Sequence, residues 1–415
     1  MYLFRLLTVF MVFLVSPIFA QITTVMDSTD GLGSAGVYSD NLGNLYISSA
    51  NSNVFRIQAS TTCSVSLGDC VITEIIDVNG DGTINHNRTA GVAIDSAGNV
   101  YVVGQFSDNV WRITNPTTCS TSGTACTINE IMNSSGDVAG NGVDNPFGIT
   151  VDGDDNVYVA SAGTHSVFRI AASSTCSTGG TPCSITEIIS DTGDGVNVMT
   201  SPVGVTVDSS NNVFVTNQNS NNAFKIQTPG TCSVDGTPCT ITEIINNLGS
   251  GGGDTFRFGR GIVTDNSGNV FIGSLGFGEN SRVFRINTPG TCNTSGTVGT
   301  ACSIAELFEG DITAPTSQNV SGMAIDIAGN VFFAGGNGDN AFRIDTPTTC
   351  STGGTPCTIT ELISATGDGT NSLDGPGTVS VVNNSDVYVA GGQSFNVFRI
   401  SGEAMPVELM SFSVD

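Results

Sequence analysis

Along most of the chain, four to six residues that alternate or run apolar give way to a short stretch of Gly, Asn, Asp or Ser. That pattern has the two-residue period of a strand and the turn residues that end one, so it predicts short antiparallel strands. The segment Gly91 to Met132 shows the unit. Gly91-Val92-Ala93-Ile94-Asp95 is followed by a Ser-Ala-Gly-Asn turn, by Val100 to Gly104, by a polar loop and by Val110-Trp111-Arg112-Ile113. A loop with two cysteines and Thr127-Ile128-Asn129-Glu130-Ile131-Met132 complete it.

The unit recurs seven times. The Asp that closes its first strand is Asp40, Asp95, Asp152, Asp208, Asp265 and Asp326, with Val382 in the last copy, at spacings of 55 to 61 residues. Repetition at a fixed period outranks local propensity, and four antiparallel strands per copy are one blade of a β-propeller. The expected fold class is all-β, a seven-bladed propeller over residues 21–402. The seventh copy, Thr378 to Ile400, lacks a cysteine loop and a fourth strand. Residues Ile22 to Asp27 echo Ile185 to Ser190, so the N-terminal strand is expected to complete the last blade and remove two exposed edges.

Residues 1–20 hold one cation, Arg5, then a short apolar run and Ala20, the pattern of a secretory signal peptide. The run is short for a membrane span, and no lipid-accepting cysteine follows. A secreted protein is expected, free or held at the cell surface or in the periplasm, and monomeric. The twelve cysteines fall in close pairs: Cys63/Cys70, Cys119/Cys126, Cys176/Cys183, Cys232/Cys239, Cys292/Cys302 and Cys350/Cys357. In an exported chain this predicts six disulfides, each within its own blade.

The formal charge is −25, and −26 once Arg5 is gone. Nucleic acid, which needs clustered cations, is excluded as a partner. Seven cations share one place in the repeat: Arg56, Arg112, Arg169, Lys225, Arg285, Arg343 and Arg399. The fourth strands carry Glu74, Glu130, Glu187, Glu243, Glu306 and Glu361, and ion pairing across strands or blades is expected. Each Asp before a Gly-Asn turn is expected to cap that turn, with the turns well separated around the rim.

Candidate chemistry lies where copies differ, in the connectors between blades and the loops between second and third strands, which gather on one face. The fifth copy departs most, with Phe256, Arg257 and Arg260 before its first strand and a long loop holding Phe277 and Arg282. Arginine beside aromatics on an acidic protein suits a carboxylate, an acidic glycan or a peptide. His86 and His165 fall on the same face. His165 joins the binding candidates, but neither has a paired acid that would make it a base, and both read as surface residues. Asp77, Asn79 and Asp81 match the first half of an EF-hand loop, which makes calcium the one metal the sequence admits. The match fails at the twelfth position, Arg88, and similar Gly-Asp-Gly turns recur between other blades. No cofactor is otherwise expected, and no Gly-x-Ser-x-Gly, His-Glu-x-x-His or phosphate-cradling motif is present.

Gly91-Val92-Ala93-Ile94-Asp95-Ser96-Ala97-Gly98-Asn99-Val100-Tyr101-Val102 resembles the recurrent unit of NHL-type propellers of bacterial surface and secreted proteins, and the resemblance covers roughly residues 22–400. It implies the fold; the family hosts binding modules, lyases and lactonases alike. The last residues, Ala404 to Asp415 within the 403–415 tail, resemble the linker before a type IX secretion sorting domain. The reading reached is a non-enzymatic scaffold that recognises a protein, glycan or surface polymer through its loop-rich face, with a metal-assisted lyase or lactonase as the alternative.

Overall fold

The structure, a computed structural model, describes residues 21–30, 33, 35–40, 42–58, 63–171, 175–251, 253, 255–275, 280–289, 292–294, 300–310, 319–382 and 386–402. The signal-peptide and linker readings and Phe277 lie outside them. Among the described residues are seven four-stranded antiparallel sheets in chain order, the blades of a β-propeller. Blade two comprises Thr89–Ile94, Val100–Gly104, Asn109–Thr114 and Thr127–Met132, from innermost to outermost strand. Blade seven takes its inner three strands from Pro376–Val382, Asp386–Gly391 and Asn396–Ser401 and its outer strand from Gln21–Met26. Ile22 pairs with Ile400 and Thr24 with Phe398, so the N-terminus closes the ring. The apolar core lies between blades: Ile131 and Met132 of blade two pack with Val159 and Phe168 of blade three, and corresponding clusters fill the other junctions.

The Asp turns form as expected. Asp95 Oδ1 accepts the Ala97 and Asn99 amides, and its Oδ2 accepts from Asn99 Nδ2 at 2.7 Å and from the Tyr101 hydroxyl at 3.0 Å. The turns are not all far apart, however. Ser96 donates through its amide and hydroxyl to Asp155, and Asn211 donates to Asp154, so the turns of blades two, three and four touch.

The expected pairing of the repeated cations with the repeated glutamates is corrected by register. Arg56 lies opposite Thr73 while its neighbour Phe55 lies opposite Glu74, and the same offset recurs in the following blades. Because a strand alternates faces, arginine and glutamate project to opposite sides of the sheet. The arginines reach the next blade instead. Arg56 donates to the Pro116 carbonyl, Arg112 to the Cys176 carbonyl at 3.0 Å, and Arg285 to the Pro347 carbonyl. Arg343 and Arg399 meet Asp345 and Asp386 of their own blades.

The six disulfides join the expected partners: Cys63–Cys70, Cys119–Cys126, Cys176–Cys183, Cys232–Cys239, Cys292–Cys302 and Cys350–Cys357. Each bridge lies within its own blade, as expected, and its cysteines also border the junction with the preceding blade. Cys70, Cys126, Cys239, Cys302 and Cys357 are half-buried, and each packs against the apolar cluster its blade shares with the one before. Cys183 belongs to the corresponding cluster of blades two and three. The loops that the bridges close reach across the same junctions. The Thr178 amide donates to the Glu130 carbonyl of the preceding blade at 2.8 Å and the Thr178 hydroxyl to the Glu130 carboxylate at 2.7 Å. Thr121, Val234, Thr294 and Thr352 reach Glu74, Glu187, Glu243 and Glu306 through their amides in the same way. The cysteine loop is thus a clasp over its neighbour's outer edge. Blade seven holds no cysteine, and Glu361 of blade six is exposed where Glu130, Glu187, Glu243 and Glu306 are 4 to 5% accessible.

Candidate functional site

The innermost strands surround a central channel with a cavity of about 600 Å³. Its width is set by one glycine in each first strand: Gly36, Gly91, Gly148, Gly204, Gly261, Gly322 and Gly377. A Cβ on Gly91 would stand 2.7 Å from the Phe147 carbonyl oxygen, one on Gly322 2.7 Å from that of Gly377, and those on Gly148 and Gly204 closer still to the next blade's backbone. In six blades the pairing register of the first strand shifts across this region, a bulge that glycine accommodates. This ring was legible in the sequence as a glycine four residues before each Asp; its meaning depends on the neighbouring blade, which sequence does not show.

In five blades the residue before this glycine adjoins the cavity: Ala90, Val203 and Ser321 are small or apolar, but blade three supplies Phe147 and blade five Arg260. The Arg260 guanidinium carbon lies 5.1 Å from the Phe147 ring centre. Arg88, in the connector into blade two, lies over Phe106 at 4.9 Å. Tyr38 of blade one donates to the Ala90 carbonyl at 3.3 Å, and burial pushes its phenol above the ordinary value. Burial pulls Arg260 below the usual arginine range; Tyr38 opposes that shift and the Arg88 charge adds to it. Among the described residues no carboxylate pairs with Arg88 or Arg260. Asp40 and Asp95 also adjoin the cavity but cap their turns.

The fifth-blade candidates separate. Phe256 is fully buried and packs edge-on against Phe284, so it is core. Arg282 is bound to Glu306 at 3.0 Å and Glu309 at 2.8 Å within its own blade. Arg257 is exposed, and only Arg260 faces the channel. Arg88, considered in the sequence only as a failed calcium ligand, becomes its companion.

The histidines are not free surface groups. His86 is fully buried, with Nε2 2.7 Å from the Thr89 hydroxyl and its ring edge-on to Trp111. Burial lowers its pKa to about 4, so it is neutral at pH 7. His165 has a φ of 58° at the end of its hairpin, where other blades place Ser52, Asp108, Asn221 and Asp339. Each accepts the amide of a connector residue in the next blade, and His165 Nδ1 accepts that of Ser201 at 3.1 Å. Nδ1 is also 2.8 Å from the Ala162 carbonyl, which a protonated Nδ1 would serve; the acceptors at the equivalent positions favour the bare nitrogen. Neither histidine lines the channel.

In the connector at Asp77, Asn79 and Asp81, Asp77 Oδ1 accepts the Asn79 amide at 2.8 Å, and Asp81 Oδ1 accepts the Thr83 amide and hydroxyl and the Ile84 amide. Among the described residues no group of three or more His, Cys, Asp or Glu converges as a metal site would require. Every cysteine is held in a disulfide and none lines the channel, so Cys70, Cys126, Cys239, Cys302, Cys357 and their partners belong to the scaffold and not to the site.

The fold and the open channel define a seven-bladed β-propeller with its variable residues at one mouth of the channel. No known family and no curated protein matches the sequence. Among solved structures, the chain is similar to virginiamycin B lyase from Staphylococcus aureus, in a catalytically inactive variant with quinupristin, at 15% identity over 92% of this chain and 99% of that one, with a TM-score of 0.61. It is also similar to the extracellular domain of a putative one component system from B. thetaiotaomicron, at 15% identity, 92% of this chain, 42% of that chain and a TM-score of 0.58. A third is the Swd1 propeller domain from Myceliophteria thermophila, at 7% identity over 89% and 97% of the two chains, with a TM-score of 0.56. At these identities the likeness is one of fold.

Proposed function

We propose that the chain is an exported, non-enzymatic binding propeller of the NHL kind, which recognises a protein, glycan or surface polymer at the loop-rich mouth of its channel. The observation that carries this reading is an open cavity whose mouth bears non-repeating residues, Tyr38, Phe147 and Arg260, on an otherwise repetitive scaffold. Six disulfides favour an oxidising compartment, and among the described residues no helix is long and apolar enough to cross a membrane. The second reading, a metal-assisted lyase or lactonase, draws on the fold likeness to virginiamycin B lyase. Against a histidine base, both histidines are engaged in the scaffold away from the channel.

The deciding experiment incubates the protein with quinupristin and a set of lactones, with and without added calcium or magnesium, and follows ligand mass. Unchanged ligands are expected. Ring opening would replace the binding reading with the enzymatic one.

A further inference from the structure

We propose that Arg88 and Arg260 together hold a single oxyanion, a carboxylate or phosphate carried by a small ligand or by the charged end of a larger one. This rests on the binding reading and names the chemistry of its site.

Most of the other arginines among the described residues are taken up by carbonyls or carboxylates. Arg56, Arg112 and Arg285 donate to backbone carbonyls, and Arg282, Arg343 and Arg399 meet carboxylates. Arg88 and Arg260 have neither kind of side-chain partner among the described residues, although the chain has three times as many acids as bases. Each guanidinium instead lies against a ring, Phe106 or Phe147. The rings steady the side chains and leave the N–H edges available, since a guanidinium stacked on an aromatic still carries its donors at the rim.

Arg260 stands in the channel at a place that three other blades fill with Ala90, Val203 and Ser321, so packing asks for no long cation there. Arg88 is on the rim of the same cavity, and its charge is felt at Arg260. A partly desolvated Arg260 with the exposed Arg88 charge on the same cavity's rim opposes the fold, and a scaffold would pair it with an acid. An arriving anion relieves both at once and gains charge-assisted hydrogen bonds that neutral ligands cannot make. The cavity of about 600 Å³ admits something of monosaccharide to disaccharide size.

Three probes distinguish the sources of such an anion: glucuronate, inorganic phosphate and neutral glucose, each titrated by calorimetry into the mature protein and into Arg88→Gln, Arg260→Gln and the double variant. Saturable binding of glucuronate or phosphate, but not glucose, is expected. Arg260→Gln should weaken it by about tenfold or more, and the double variant should abolish it. Raised salt should weaken the wild-type interaction. Glucuronate alone would identify a carboxylate source and phosphate alone a phosphate source. Melting temperatures accompany the titrations: removal of the unpaired charge is expected to leave stability unchanged or raised, whereas a fall in both single variants would assign the arginines a structural role and overturn the proposal. So would equal affinity in wild type and double variant, or no saturation by either anion up to about 10 mM, a range that covers weak sites. Ring opening of quinupristin would remove the non-enzymatic reading without touching the arginine dependence, so the two can fail separately.

Discussion

At the scale of single residues, the protein places its histidines and glycines where solvent or a neighbouring backbone decides their role. His86 is held neutral in the fold with a pKa of about 4, below the ordinary 6.5. The unfolded chain therefore binds the extra proton first as pH falls. The stability His86 confers is full above pH 6.5, declines between 6.5 and 4, and is level below that, a total of about 3 kcal/mol. Denaturant titrations at pH 7, 5.5 and 4 should show this decline, and His86→Gln should flatten part of it; parallel curves would mean that the histidine is hydrated in the fold. Gly204→Ala should cost about 1–3 kcal/mol, because the new Cβ meets the Arg260 carbonyl and the Thr216 hydroxyl. Gly153→Ala, which meets nothing within 4 Å, is its control.

At the scale of elements, the cysteine loop acts between blades as much as within one. Replacing Cys176 and Cys183 by Ser opens an eight-residue loop and is expected to lower stability by about 2–3 kcal/mol on the chain-entropy account. If the loop is a clasp, the effect travels: hydrogen exchange should quicken at the Thr178 amide and along Thr127–Met132 of blade two, whose Glu130 it covers. Acceleration confined to blade three would reduce the disulfide to a local brace. Blade six offers a natural comparison. Its outer strand, Ile359–Ile363, has an exposed Glu361 and no disulfide loop after it, so it should exchange fastest among the outer strands of blades two to six.

At the scale of the whole molecule, closure depends on six residues far in sequence from those they meet. Val25 and Met26 are fully buried, and Thr24 bonds Asp368 at 2.7 Å. Deleting Ile22 to Asp27 exposes the Asn396–Ser401 edge and removes both side chains from the core, a loss of about 5 kcal/mol or more. An unchanged urea midpoint would show that the ring does not need its closing strand.

The repeat spelled out the seven blades, the closing strand and the cysteine pairs because each is a local pattern copied along the chain, and copies at constant spacing leave one stacking solution. Alternation even held the answer to the arginine and glutamate question, since residues opposite Thr73 and Glu74 differ by one position and therefore by one face. What sequence could not supply was contact between blades. That Cys126 packs on the core of the preceding blade, that Arg88 shares a cavity with Arg260, that Phe256 is core while Arg260 is not, and that His86 is buried against Trp111 are matters of tertiary packing. All follow from how sheets separated by dozens of residues meet around one axis. The sequence alone determined the scaffold because its strands are short-range patterns; only the tertiary structure decided the site, because its members come from different copies and are neighbours only once the ring has closed.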